Sequence, residues 1–219
     1  MAISKLNFNS LNVTPTASKG IGFDSGADDL EASFSGGSMN FIKKLTASSS
    51  GTLSFVDGAS GVVLDGTYKE YVFIFNNIHP ATDDANFLFN GSIDAGSNYN
   101  VTKTSTFFRS FHQEDDSQSG LSYYTSGDLA QGTGTQLLSY GCGNDNDQCT
   151  TGFLHLFNPS STTFVKHFIA RTNTYESTNN SWGGFAAGYA NTTSAIDAVQ
   201  FKMSSGNIDA GTITLYGIT

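Results

Sequence analysis

Residues 70–78 read EYVFIFNNI. Side chains alternate faces along a β-strand. Tyr71, Phe73 and Phe75 therefore share one face, and Val72 and Ile74 the other. Both faces are apolar, so this strand is expected to be covered on both sides. Aromatic and β-branched residues at this density fit a pleated, packed surface.

The same texture recurs along the chain, in MNFIKKLTA (39–47), GTLSFVDG (51–58), ANFLFNG (85–91), YNVTKTSTFFRSF (99–111), LSYYTS (121–126) and TQLLSYG (135–141). It continues in TGFLHLFNP (151–159), TTFVKHFIART (162–172), GGFAAGY (183–189), AVQFKMS (198–204) and TITLYG (212–217). In one of these, Phe153, His155 and Phe157 oppose Leu154 and Leu156; in another, Val165, His167 and Ile169 oppose Phe164, Lys166 and Phe168. Clusters of Gly, Asn, Asp and Ser separate the runs. The best helical candidate, Thr193–Val199, is short and lacks a 3.6-residue stripe. About a dozen short strands with regular turn signals predict an all-β, two-sheet antiparallel sandwich, jelly-roll-like in its strand number. No internal repeat suggests a propeller or β-helix. Near the C-terminus, SGNIDAG (205–211) carries Gly206 and Gly211, which tolerate positive φ. It is read as a hairpin loop, pairing the last strand with the one before it.

Residues 1–37 differ in kind. Ile3, Leu6, Phe8, Leu11 and Val13 form a short apolar run. Pro15, a Gly/Ser/Asp-rich stretch from Lys19 to Asp29, and Ser35-Gly36-Gly37-Ser38 follow. The segment reads as an N-terminal docking arm with a flexible hinge, and residues 38–219 as the sandwich domain.

Only 13% of the 219 residues are charged, against ~25% in typical domains. The formal net charge is −9. A surface of that sign repels phosphate, so neither nucleic acid nor an anionic membrane is expected as a partner. No run of apolar residues reaches the length of a membrane span, and the first residues lack the apolar stretch of a signal peptide. Synthesis in a cytoplasm is expected. The N-x-[ST] triplets at Asn90, Asn100 and Asn191 occur at the rate such a Ser/Thr-rich chain produces by chance.

The most suggestive local segment is CGNDNDQC, 142–149. Cys142 and Cys149 read as a disulfide stapling a loop tip or as two free thiols, while Asp145 and Asp147 offer a weak calcium pair without the remaining EF-hand ligands. Neither a zinc spacing nor a C-x-x-C motif is present. His155 and His167 lie among apolar neighbours and read as hydrogen-bonded core residues. His79 precedes Pro80, in the manner of a turn with a candidate cis bond. His112, Glu114 and Asp115 form a local acid–base mix, read as a solvated loop; they are the first residues to test should turnover be found. No nucleophile elbow, phosphate loop or zinc-protease helix motif occurs. The chain is expected not to be an enzyme and to need no cofactor and no metal. Tyr123, Tyr124, Tyr175 and Trp182 fall in or near polar loops, where rings could stack on a host-surface glycan.

Three phrases carry a resemblance. Residues 42–83 (IKKLTASSSGTLSFVDGASGVVLDGTYKEYVFIFNNIHPATD), 156–170 (LFNPSSTTFVKHFIA) and 201–218 (FKMSSGNIDAGTITLYGI) resemble small virion structural proteins of tailed phages of marine bacteria, cyanobacteria among them. The likeness covers about Met39 onward and is one of texture, with no catalytic signature. CGNDNDQC is foreign to it. The resemblance implies an all-β structural protein on the particle exterior, assembled as a homo-oligomer and docked through its arm onto other virion proteins of capsid or tail. A tail-fibre or tail-associated module contacting the host is the first expectation, because loop aromatics and a disulfide suit an exposed adhesin. A capsid decoration (cement or head-fibre) protein is the second. A free-standing carbohydrate-binding module competes with both.

Overall fold

A computed structural model of the chain describes residues 20–23, 30–34 and 38–219. The docking-arm residues Ile3, Leu6, Phe8, Leu11 and Val13 lie outside them. The chain divides into two units, Met1–Asn40 and Phe41–Thr219. In the first, β1 (Gly20–Phe23) and β2 (Leu30–Phe34) pair antiparallel. The stretch read as a hinge thus contains a β-hairpin, because strand pairing can satisfy backbone groups even in Gly-rich sequence.

The rest is β3 (Met39–Thr46), β4 (Leu53–Val56), β5 (Glu70–Pro80), β6 (Ala85–Ser92), β7 (Lys103–Gln113), β8 (Ser119–Tyr123), β9 (Gln136–Cys142), β10 (Thr150–Phe157), β11 (Lys166–Glu176), β12 (Asn180–Ala190), β13 (Ala198–Met203) and β14 (Ile208–Ile218). The described residues include no helix, hence none long and apolar enough to cross a membrane. Thr193–Asp197 is an irregular link into β13.

These twelve strands form one antiparallel sheet that is nearly closed, in the manner of a barrel. Along one run the order is β3-β14-β5-β10-β11-β12-β7-β8; along another it is β9-β6-β13-β4. The runs meet where β9 pairs with β11 at a single position, Glu176 opposite Cys142. Glu176 Oε2 is tied there by the Thr178 amide at 2.9 Å and by Asn180 Nδ2 at 2.8 Å.

The core is where the runs face one another. Phe55, Phe87 and Phe201 from β4, β6 and β13 pack against Phe73 and Phe75 of β5, with ring centroids 5.1–5.3 Å apart for Phe55–Phe73, Phe75–Phe87, Phe73–Phe201 and Phe75–Phe201. Phe89 of β6 meets Phe168 of β11 at 5.1 Å. β5 behaves as its sequence dictates: Tyr71, Phe73 and Phe75 are fully buried, Val72 is buried and Ile74 half-buried.

The SGNIDAG expectation is corrected. Gly206 and Gly211 do adopt positive φ, 67° and 110°. However, β13 pairs with β4 and β6, whereas β14 pairs with β5 and β3. The link crosses from one run to the other instead of closing a hairpin. Gly211 marks a register shift within β14, where a Cβ would come 2.4 Å from the Asn77 carbonyl oxygen. The histidine readings change too. His167 is exposed, and His155 is half-buried on the outer face, bonded through Nδ1 to Glu70 Oε1. Lys166 instead faces inward, fully buried, its Nζ donating to the Thr192 carbonyl at 3.1 Å. Pro80 ends β5, and the described residues contain no cis peptide bond.

Candidate functional site

The strand register aligns side chains into rows on the outer face. Phe153, Arg171, Phe185, Phe108 and Tyr123 stand opposite one another across β10, β11, β12, β7 and β8. Phe108 and Phe185 stack with centroids 4.5 Å apart and planes 5° from parallel. The Arg171 guanidinium lies 5.0 Å from the Phe185 ring centre, within cation–π range. The next row is Thr151, Asn173, Gly183 and Ser110. Gly183 leaves that row open: a Cβ there would lie 2.8 Å from Ser110 Oγ. The third row holds Tyr175, Ser181 and His112.

The result is a trough. One hollow of about 430 Å³ lies among Phe153, Arg171, Phe185, Asn173, Ser181 and His112. A second, of about 360 Å³, shares His112, Asn173 and Ser181 with it and continues to Glu114 and Tyr175. Both are open to solvent. Asn173 is oriented by its Nδ2, which donates to Ser181 Oγ at 3.1 Å. His112 Nε2 lies 2.9 Å from Asp116 Oδ1. Tyr175 OH donates to Asn179 Oδ1 at 3.3 Å, and burial followed by the Glu114 carboxylate raises its pKa. An apolar wall, a cation and planar polar groups in a shallow trough match a ligand with both flat apolar faces and many hydroxyls.

The aromatic candidates separate. Tyr123 is 53% exposed at the end of the first row, its OH donating to Asp128 Oδ2 at 2.5 Å. Tyr175 lines the second hollow. Tyr124 is half-buried, and Trp182 is 2% exposed, packed against Phe107, Tyr124 and Tyr140. Trp182 is therefore withdrawn as a glycan contact. It occupies an inward position of β12, between outward Ser181 and Gly183. Arg171, Phe185, Phe153 and Asn173 were missed because they sit within strands and not in loops. Arg171 carried a signal, being one of two arginines in the chain.

His112 and Glu114 line the trough, but Asp115 turns aside to cap its own loop. Its Oδ1 accepts from the Ser117 amide at 3.0 Å, and the Ser117 hydrogen bonds hold its pKa below the ordinary carboxylate value.

Of the two readings of the 142–149 loop, staple or free thiols, the structure takes the second. Cys142 and Cys149 are both free. Cys142 is buried at the end of β9, while Cys149 Sγ turns toward Asn77 Oδ1 at 3.9 Å. The loop is closed without a disulfide, by Gln148: its backbone amide donates to the Asp145 carbonyl at 2.9 Å and its Oε1 accepts from the Asp145 amide at 3.0 Å. Asp145 and Asp147 have no companions for calcium: among the described residues, no group of three or more His, Cys, Asp or Glu is placed to hold a metal.

Burial pushes the Cys142 thiol up to about 11. The unfolded thiol ionises near pH 9, so above that pH the unfolded chain holds fewer protons than the folded one, and stability falls. The contribution is intact below about pH 9 and is lost by about pH 11, a span worth roughly 2–3 kcal/mol. Denaturation midpoints of the unaltered chain and Cys142→Ala, compared across that window, should converge as pH rises; a constant difference would show that this thiol does not titrate with folding.

No family model matches this sequence, and no curated protein or solved structure matches it.

Proposed function

We propose that the chain is an exterior structural subunit of a tailed-phage particle whose outer sheet face binds host-surface glycan. In this reading the body is a two-layer, jelly-roll-like sandwich. The single-position junction between β9 and β11, and the ring contacts between the two strand runs, support that arrangement. The virion assignment rests on the sequence resemblance, with the tail preferred over the capsid. Glycan binding rests on one observation: the continuous trough from Phe153, Arg171 and Phe185 to Tyr175, which brings an aromatic wall beside fixed polar groups. The C–H face of a pyranose packs on the exposed edges of the wall while Arg171 and Asn173 meet its hydroxyls.

Two measurements test the halves separately. Mass spectrometry of purified particles should find the chain at high copy, and antibody labelling of intact particles should mark the tail. A chain missing from particles overturns the virion assignment and leaves a free-standing binding module; labelling of the shell makes it a capsid decoration. Binding to host-derived polysaccharide should weaken roughly tenfold in Phe185→Ala and again in Arg171→Ala, as the loss of one stacking or cation contact implies. Unchanged affinity in both folded variants sinks the trough as the site. Turnover of the polysaccharide would sink the binding-only reading.

A further inference from the structure

Lys103 is 2% exposed, and no carboxylate is hydrogen-bonded to it among the described residues. The side chains around it include Phe89, Val101, Leu156, Phe168, Ile196 and Val199, from β6, β10, β11, β13 and the links beside them, and none is titratable. A buried ammonium without a counter-ion is costly, so its surroundings require an explanation. Its Nζ donates to Asn90 Oδ1 at 2.5 Å and to the Val101 carbonyl at 2.7 Å.

Asn90 is 2% exposed and held at every polar atom. Its Oδ1 also accepts from the Gly91 amide at 2.9 Å. Its Nδ2 donates to the carbonyls of Tyr99 at 2.7 Å, Thr133 at 3.0 Å and Gly134 at 3.3 Å. The Lys103 backbone is fixed by paired bonds with Gly132 at 2.8 and 3.0 Å. An amine nucleophile thus rests against a carboxamide whose oxygen is polarised by a backbone N–H and whose nitrogen is caught by three acceptors. That is a nucleophile, an oxyanion donor and a leaving-group cradle in one buried site.

We propose that Lys103 and Asn90 form an intramolecular isopeptide bond. The ammonium first gives its proton to solvent. The neutral Nζ lone pair attacks Cγ of Asn90, and the carbonyl electron pair moves onto Oδ1, facing the Gly91 N–H. Collapse of the adduct breaks the Cγ–Nδ2 bond. Nδ2 takes the second proton that Nζ gives up and leaves as ammonia. The products are one secondary amide and one ammonia; nothing is oxidised or reduced, and no co-reactant is needed.

Burial favours the free amine, holding the Lys103 pKa down to about 8. With no carboxylate bonded to either group to relay the proton, the reaction is slow and its rate follows the free-amine fraction. The bond would join β6, which pairs with β9 and β13, to β7, which pairs with β12 and β8. It would therefore lock the two strand runs to each other covalently, which suits a subunit exposed to mechanical load.

Intact mass spectrometry of the full chain decides it. After incubation at about pH 9, above the free-amine threshold, the mass should fall below the sequence mass by one ammonia. Trypsin, blocked at an acylated Lys103, should give residues 70–109 as one internally looped peptide lacking one ammonia, where the unreacted chain gives a peptide ending at Lys103. Asn90-Gly91 could also lose ammonia by closing a succinimide on itself, but hydroxylamine opens that ring and leaves an isopeptide intact. Lys103→Arg and Asn90→Ala should keep their full mass; because either can fail to fold, the unaltered chain carries the decision. Retention of the full mass overturns the proposal, as does ammonia loss that fragment ions place on Asn90 alone with Lys103 unmodified.

Discussion

Phe201→Ala is expected to destabilise the body by about 3–5 kcal/mol, the range for truncating a fully buried phenylalanine. Phe201 is 0% exposed and sits in the middle of the aromatic core. Its ring lies 5.3 Å from both Phe73 and Phe75 and 5.8 Å from Phe87, with which it stacks. Phe55 and Phe89 complete the shell at 6.2 and 6.4 Å. The ring comes from β13 and its partners from both strand runs, so its loss opens a cavity at their meeting surface. Surrounding rings are large and held in the sheet, which limits collapse into the gap. Guanidinium unfolding should show a clear fall in midpoint. A change under about 1 kcal/mol would mean that the runs do not depend on this cluster.

Gly152→Ala is expected to cost about 2–4 kcal/mol and to damage the trough at the same time. Gly152 has φ 151° and lies at a register shift between β10 and β5. A Cβ there would come 2.2 Å from the Arg171 carbonyl oxygen and 2.8 Å from Thr172 Cα. Both are backbone atoms of β11, so the clash cannot be relieved by turning a side chain. The strands must separate beside Arg171 and Asn173, the residues that line the first hollow. The variant should lose stability and, on the proposed glycan-binding function, affinity for host polysaccharide with it. Gly66→Ala is the control: its Cβ would meet only Ser160 Oγ at an ordinary 3.7 Å, so stability should stay within about 0.5 kcal/mol. Equal stability of the two variants would show that the close approach of β10 to β11 is not needed.

The trough was half legible. TGFLHLFNP puts Phe153, His155 and Phe157 opposite Leu154 and Leu156, and the structure buries the leucines while leaving the others on the outer face. The row Phe153–Arg171–Phe185–Phe108 could not be read, because each member lies on a different strand and only register aligns them. Trp182 shows the opposite error. A polar neighbourhood, TNTYESTNNSWGG, suggested a loop, yet alternation within β12 turns the indole inward. Lys103 and Asn90 are unremarkable in sequence; their meeting depends on how the fold brings the start of β7 back beside β6.

By itself, the amino-acid sequence determined the all-β character and the approximate positions of most strands after Met39, but not always which face turns inward, as His155, His167, Lys166 and Trp182 show. Those are local properties: alternation has a period of two, and turn residues punctuate it. Tertiary structure alone decided which strand lies beside which. Val199, Phe201 and Met203 on β13, and Ile213 and Leu215 on β14, need only a shared core. Strands facing each other across that core bury these side chains as well as strands lying side by side. The alternation therefore could not reveal that β14 leaves its predecessor for β5 and β3, nor which polar and reactive groups such long-range pairing brings together.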